Sequence, residues 1–166
     1  MIFLLLLSSY HSYIFVSKGG ELHDSKSYNY AHVGVYFGIL GLLTGMFWAK
    51  YTWGTYWTND PKLNGSAIGL LIYFGYFILR SSIEDESKKG KISSVYNVFA
   101  FSMLIPLIFI LPRLTDSLHP GNGGNPGFNV YDMNSQLRLV FYPAVTGFIF
   151  LGLWISDLRL KMLKLK

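Results

Sequence analysis

The chain has 166 residues, of which 51% are hydrophobic, 14% are charged and none is cysteine. Soluble domains carry about 25% charged residues, so this composition favours a membrane protein of a single domain. The lack of cysteine excludes disulfides, thiolate metal sites and thiol catalysis in this chain. The formal net charge is +5, but the basic residues flank apolar runs. That distribution is typical of membrane topology and disfavours nucleic acid as a partner.

Apolar runs predict an all-α, polytopic integral membrane protein with five transmembrane helices. The runs lie at about 1–17, 32–48, 63–79, 95–111 and 139–156. The first run is shorter than the ~20 residues that a span needs, and it lacks the features of a signal peptide. We interpret it as most of a transmembrane helix whose beginning is missing.

Two features of the runs concern helix shape and packing. Gly34, Gly38, Gly41 and Gly45 are spaced to share one helix face. Small residues on one face predict the close approach of a neighbouring helix. Pro106 lies inside the fourth run and predicts a kink there.

The polar segments between the runs predict the orientation. One side would receive polar loops at 18–30 and 80–94 and the C-terminal tail, with ten Lys and Arg residues. The other side would receive an aromatic loop at 48–63 and a histidine loop at 112–136, with three such residues and Arg138 just after the second loop as the fourth. The positive-inside rule then predicts a cytoplasmic C-terminus, with the aromatic and histidine loops together on the outer face.

The aromatic loop contains Trp48, Trp53 and Trp57, together with Tyr51 and Tyr56. Such rings form either an interfacial belt, where they contact lipid head groups, or a surface for a flat ligand. Heme fits the second interpretation. Its macrocycle stacks on indole rings, a histidine supplies an axial nitrogen, and its propionates seek cations.

His119 is the candidate axial ligand in the histidine loop, and Lys50, Lys62 and Arg113 are candidate cations for the propionates. A single loop histidine has the alternative role of a hydrogen-bonding or capping residue. Asp116 is placed either to orient His119 or to cap a short helix.

The remaining polar candidates also have alternative roles. Asp60 is either a turn residue before Pro61 or a buried carboxylate that needs Lys62 or a backbone amide as its partner. His11 lies inside an apolar helix, where we interpret it as a tolerated neutral residue. His23 and His32 are interpreted as ordinary residues of a loop and a helix start.

Several of these residues resemble a known signature. Thr44-Gly45, Trp48, Trp53-Gly54-Thr55-Tyr56-Trp57, Asp60 and Lys62-Leu63 resemble the tryptophan-rich "WWD" motif of heme-handling membrane proteins. Within that group the chain is most similar to the CcmC family, the heme exporter protein C of cytochrome c maturation. The segment 111–120, which ends on His119-Pro120, resembles the second histidine loop of that family.

The resemblance implies a six-helix protein of the bacterial inner membrane that binds heme b at its periplasmic face. It implies that the heme is presented to the periplasmic chaperone CcmE, alongside the ABC-type subunits CcmA and CcmB, without enzymatic turnover. His119 corresponds to one axial ligand of the heme iron. The other expected heme-contacting residues are Trp48, Trp53, Tyr56, Trp57, Asp60, Lys62 and Arg113.

The chain departs from the family pattern in four places. Asn59 stands where a further tryptophan is common. Tyr56 stands where the family often has tryptophan, and Lys62 stands where arginine is common, which weakens bidentate propionate binding. The resemblance implies a first helix and an axial histidine after it that this sequence does not include, so the chain is expected to be short at its N-terminus.

Two other functions are weighed against heme delivery. A cytochrome c synthase of the larger WWD-bearing type would attach heme to apocytochrome thiols, but that type is longer and adds intramembrane histidines. A permease subunit for heme or another solute would need a polar pathway, whereas the second to fifth runs contain almost no charge.

Overall fold

The structure, a computed structural model, describes residues 1–115, 117–119 and 133–164. Its helices are α1 (Ile2–Lys18), α2 (Glu21–Trp53), α3 (Pro61–Ser82), α4 (Glu86–Ile105), a π segment (Pro106–Ile110), α5 (Leu111–Leu114) and α6 (Ser135–Lys164). No strand occurs in these described ranges. The stretches 21–53, 61–82, 86–114 and 135–163 are long and apolar enough to cross a membrane, and α1 is a shorter apolar helix. The prediction of an all-α polytopic membrane protein is confirmed.

The helices extend further than the apolar runs, so the predicted loops are too long. Only Gly19 and Gly20 separate α1 from α2, with φ of 77° and 99°, which glycine adopts without strain. The predicted polar loop at 18–30 is therefore wrong. α2 has 33 residues, or about 50 Å of helix, whereas the bilayer core is about 30 Å thick. Hydropathy detects the part that matches the bilayer and misses the polar turns beyond it.

The same correction applies at two other loops. Trp48 to Trp53 form the end of α2, so only part of the predicted aromatic loop at 48–63 is a loop. The predicted loop at 80–94 is helical except at residues 83–85. At Pro106, where the sequence predicts a kink, the helix changes from α to π geometry.

α1 packs mainly on α2 and α4, α3 packs on α4, and α6 packs mainly on α2. The buried core lies between the first four helices and includes Leu5, Ala31, Tyr73, Ala100 and Leu104. A buried polar contact joins three of these helices. The Asn97 side-chain nitrogen lies 2.7, 2.9 and 3.0 Å from the hydroxyls of Ser8, Ser12 and Ser27. Polar groups in apolar surroundings need such partners.

The four glycines of α2 do not all have the predicted role. A Cβ at Gly34 would lie 2.7 Å from Leu5 Cδ2, and one at Gly38 would lie 2.7 Å from Leu70 Cδ2. The predicted close approach is confirmed at these two positions. At Gly41 and Gly45 an added Cβ would meet nothing within 4 Å, so the prediction is wrong there. The face of α2 is therefore packed at one end and open at the other.

The two ends of the bundle are chemically distinct. At one end, Arg80 donates to both carboxylate oxygens of Asp24 at 2.8 and 2.5 Å, which ties the end of α3 to the start of α2. The opposite end carries the end of α2, the start of α3, α5 and residues 117–119. The candidate site lies at this second end.

Candidate ligand-binding site

Asp60 connects the start of α3 with residues 117–119 at this end of the bundle. It precedes Pro61, the first residue of α3, and its side chain accepts hydrogen bonds from the backbone N–H groups of Lys62 and Leu63 at 2.9 and 3.2 Å. This is the N-cap arrangement, in which a side-chain oxygen satisfies the first free amides of a helix. Asp60 is also buried, with 2% of its surface exposed. Asp60 is therefore both a turn residue before Pro61 and a buried carboxylate, the two roles that the sequence left open. In the cap, its partner at position 62 is the backbone N–H group of Lys62.

The same carboxylate holds the segment 117–119. Its Oδ2 accepts from the Ser117 hydroxyl at 2.8 Å and from the Leu118 N–H at 2.7 Å. Its Oδ1 lies 2.8 Å from Nδ1 of His119. The His119 N–H donates to the Ser117 hydroxyl at 3.2 Å. Asp60 therefore joins two segments that lie 59 residues apart.

Two opposing effects, burial and hydrogen bonding, determine whether Asp60 is charged. Burial by itself raises the pKa of the carboxyl group. Hydrogen bonds from Leu118, Ser117 and Leu63, and the nearby charge of His119, act in the opposite direction and lower the pKa below its ordinary value. Asp60 is therefore a carboxylate at neutral pH.

This carboxylate fixes the tautomer of His119. An ionised carboxylate only accepts hydrogen bonds, so the shared proton lies on Nδ1 of His119. In the neutral ring, Nε2 then carries a lone pair. A histidine that donates from one nitrogen to a carboxylate and presents the other is the usual form of a metal-ligating histidine. His119 is 23% exposed, which leaves the ring partly accessible.

Two of the predicted aromatic residues contact His119. The Trp53 ring lies edge-on to it, with centroids 5.0 Å apart at 81°, and the Trp48 centroid is 6.5 Å away. The two indoles lie 5.1 Å apart at 78° to one another. They therefore form an angular wall beside the imidazole, whereas the sequence suggested a flat surface.

The other predicted aromatic residues are held elsewhere in the loop. Tyr56 packs edge-on against Phe47, and Lys50 lies 5.5 Å from its ring centroid. The Lys50 ammonium also donates to the Gly54 carbonyl oxygen at 2.9 Å, so it closes the end of α2. The Trp57 indole donates to the Asn64 side chain at 3.2 Å. Both Tyr56 and Trp57 are exposed.

The predicted cations occupy different positions. Lys62 is half-buried and lines a groove together with His119, whereas the side chain of Arg113 is exposed. The groove lies between α2 and α3 and has a volume of about 230 Å³. The structure therefore brings together Trp48, Trp53, Asp60, Lys62 and His119.

The sequence interpretation missed Ser117 and did not predict the contact of His119 with Asp60. Asp116, which was considered as an orienting residue, lies outside the described residues. Asp60 takes that role, with Ser117 beside it. A serine two residues before a histidine is a signal for such a local turn, because its hydroxyl accepts from the backbone.

The other histidines lie away from this site. Nδ1 of His11 is 2.9 Å from Nδ1 of His23, and the His11 ring stacks on Tyr30. His32 contacts the carbonyl oxygen of Tyr28. The pairing of His11 with His23 was not predicted. Across the described residues, no group of three or more His, Asp or Glu side chains is arranged to hold a metal ion.

Comparison with known proteins covers this region of the chain. A family model described as "Cytochrome C assembly protein" matches residues 3–119, from the start of α1 to the candidate ligand His119. The chain belongs to this family. The matched region includes Asp60 and the residues that bond to its carboxylate, among them Ser117, Leu118 and His119.

Individual relatives give the same result. Proteins named "Heme exporter protein C" from Haemophilus influenzae, Bradyrhizobium diazoefficiens and Rhodobacter capsulatus are 26%, 27% and 32% identical over 140, 135 and 96 residues. These matches cover 82%, 81% and 55% of this chain and 54%, 51% and 38% of the relatives. The chain thus spans about half the length of the first two. The resemblance to heme exporter protein C is confirmed.

The site fits an iron porphyrin in its donor set. His119 would hold the iron through Nε2, Trp48 and Trp53 would supply aromatic surface, and Lys62 would supply positive charge. These are the three kinds of contact that heme requires from a protein.

Proposed function

We propose that the protein binds heme b at the His119 end of its helix bundle and presents it during cytochrome c biogenesis. The observation that carries the proposal is the bond between Asp60 and Nδ1 of His119, 2.8 Å long, beside Trp48 and Trp53. This bond is the reason for expecting an Nε2 atom that is ready to ligate iron. Family membership is consistent with heme as the ligand.

The site holds its ligand by a small number of contacts. His119 supplies one axial bond to the iron, and Trp48 and Trp53 contact the macrocycle. Lys62 attracts the propionates as a point charge, without the bidentate geometry of arginine. Tyr56, Trp57 and Arg113 belong to the same end of the molecule and extend the surface that a bound heme would meet. Trp48 is 52% exposed, so the wall formed by Trp48 and Trp53 is open enough to favour release as well as binding.

The proposed partner is the periplasmic heme chaperone CcmE, which takes the heme from the exposed side of the site. The ABC-type subunits CcmA and CcmB act beside the protein in the inner membrane. The His119 end then faces the periplasm and the C-terminus faces the cytoplasm, as the distribution of basic residues predicts. The protein binds and presents heme and performs no chemistry on it, so we do not propose an enzyme.

Heme titration of the detergent-purified chain tests the proposal. The Soret band should appear on binding, and Trp53→Ala should weaken binding because its ring contacts His119. Trp154→Ala is the matched control, since Trp154 lies on α6 and is 61% exposed. Equal losses in the two variants would show that indoles act only through the membrane interface.

Transfer of heme to CcmE tests the proposal that the protein presents its heme. Heme-loaded protein is mixed with purified CcmE, and the heme on each partner is measured after separation. Transfer from the parent, and slower transfer from a variant with weakened binding at Trp53, supports presentation. Retention of all heme by the parent would limit the function to binding.

A further inference from the structure

The groove beside His119 has an unusual wall. It runs along α2 past Gly45, Gly41 and Gly38, and α3 contributes Ser66 and Leu70 on the opposite side. Gly38 to Gly45 covers seven residues of helix, or about 10.5 Å. At Gly38 the helices are in contact through Leu70, whereas at Gly41 and Gly45 an added Cβ would meet nothing within 4 Å. The groove is closed at its deep end and open towards His119.

The groove is also open sideways. Gly41 is exposed and Gly45 is half-buried, so the wall reaches the outer surface of α2 between the two membrane-spanning helices. Its volume of about 230 Å³ is smaller than the ~300–1,000 Å³ of a pocket that encloses a whole ligand. The groove therefore has room for one edge of a flat molecule.

The chemistry of the groove changes along its length. His119 and Lys62 lie at one end, and the walls beyond them are mainly glycines and the apolar side chains of leucines, Phe37 and Met1. The one hydroxyl in the wall, that of Ser66, donates to the Lys62 carbonyl oxygen within α3. Heme has a matching polarity, with two carboxylates on one edge and apolar substituents on the opposite edge. If His119 held the iron and Lys62 attracted the carboxylates, the space left for the apolar edge would be the groove between α2 and α3.

We propose that the groove walled by Gly41 and Gly45 is the seat for the apolar edge of the heme that His119 ligates. The absence of side chains at these two positions makes the space that the macrocycle edge fills. This inference rests on the proposed heme function and adds a binding surface within the helix bundle to the loop residues of that function. It also makes the helix pair α2–α3 the side from which the ligand slides onto His119.

Size substitutions test the seat. Gly41→Leu and Gly45→Leu place a side chain in the groove where the protein itself has space. A difference of one methylene group in the fit between a ligand and an apolar pocket changes affinity by about tenfold or more. A leucine side chain fills more space than one methylene, so each variant should bind heme at least about tenfold more weakly. Alanine at either position should have a smaller effect. Gly147→Leu is the control, because Gly147 on α6 also has nothing within 4 Å of an added Cβ.

A second ligand keeps the test independent of folding. Deuteroheme carries hydrogen in place of the two vinyl groups and so has a smaller apolar edge. The ratio of parent to Gly45→Ala affinity should be smaller for deuteroheme than for heme. A general folding defect would instead reduce both affinities alike.

The outcomes separate the two proposals. If the parent binds no heme, the proposed function fails. If the parent binds heme and the leucine variants bind it as tightly as Gly147→Leu does, the groove is not the seat and this inference is overturned. Loss of a copurifying protein from the Gly41→Leu variant, with heme binding unchanged, would assign the groove to a partner helix and also overturn it.

Discussion

Replacing Asp60 with asparagine should release His119 from the bundle while leaving the helix cap in place. Asparagine has the same shape and caps helices as well as aspartate does. Its one oxygen can serve the amides of Lys62 and Leu63, but its NH2 group then faces the Leu118 N–H, which lies 2.7 Å from Oδ2 in the parent. Two donors would face one another, and the bond to His119 would lose its charge.

The magnitude follows from these two losses. An N–H left without an acceptor costs about 1 kcal/mol or more, and a charged hydrogen bond is stronger than a neutral one by about 1 kcal/mol. Both losses favour release of the segment 117–119 over its position on Asp60, and about 2 kcal/mol corresponds to about a thirtyfold change in that equilibrium constant. Only the held position presents His119 to heme, so the apparent affinity falls by up to that factor. This lies within the 10–100-fold loss of metal affinity that is typical when the partner of a ligating histidine is removed. We therefore expect Asp60→Asn to weaken heme binding by up to about thirtyfold.

The assay is heme titration followed by absorbance, with Asp85→Asn as the matched control. Asp85 caps α4 in the same way, accepting from the Ser87 N–H at 2.9 Å, but it is exposed and lies at the other end of the bundle. Its substitution should leave heme affinity unchanged. Equal affinities for the two variants would refute the reasoning, because the carboxylate of Asp60 would then contribute only a cap.

Three further outcomes follow from the structure. The pKa of Asp60 is lowered from 3.8, so its stabilising contribution is present above that pH and is lost as the pH falls through the lower folded value. On acidification below about pH 4, thermal unfolding should show a larger loss of stability in the parent than in Asp60→Asn; parallel curves would exclude this contribution. Gly65→Ala should destabilise the fold by about 1–3 kcal/mol, because its Cβ would lie 2.3 Å from the Leu107 carbonyl oxygen. The control for that variant is Gly147→Ala, and equal thermal stability of the two would contradict the close contact. Asn97→Ala removes the side-chain amide that lies within hydrogen-bond distance of three serine hydroxyls. The amide has two N–H groups to donate, so at about 0.6 kcal/mol for each bond in a membrane protein the loss should be about 1 kcal/mol in the same assay. Ser102→Ala should have little effect, since that exposed hydroxyl bonds only within its own helix.

The helical class was predictable from the sequence because apolar runs report directly on burial in a bilayer. The ends of the helices were not predictable in the same way. α2 begins at Glu21, where about three polar turns precede the apolar run, and Glu21 and Asp24 favour that position through the helix dipole. Because residues 21–30 are mostly polar, the sequence interpretation assigned them to a loop. In the structure, only Gly19 and Gly20 separate α1 from α2.

The residue types of the site were predictable, but their partnerships were not. Trp53, Asp60 and His119 are recognisable as candidates from their chemistry and from the family resemblance. The contact of Asp60 with His119 joins residues 59 positions apart, and local spacing carries no information about such a pair. Local reasoning therefore considered only nearby partners. It placed Asp116 either to orient His119 or to cap a short helix, and it left Asp60 as either a turn residue or a carboxylate partnered by Lys62 or a backbone amide.

The glycines of α2 show a similar limit. Their spacing correctly indicates one helix face, and the packing of Gly34 and Gly38 follows from that face. Whether a neighbouring helix covers the whole face depends on where α1 and α3 cross α2, which the pattern does not specify. The open positions Gly41 and Gly45 became visible only in the folded bundle.

The most direct test of the central claim is an imidazole rescue at His119. The detergent-purified chain and its His119→Gly variant are titrated with heme, each with and without free imidazole, and the Soret band is compared. We expect the variant to lose or shift the band and imidazole to restore it, because the wall formed by Trp48 and Trp53 and the groove remain in place. An unchanged spectrum in the His119→Gly variant would contradict the assignment of His119 as the iron ligand.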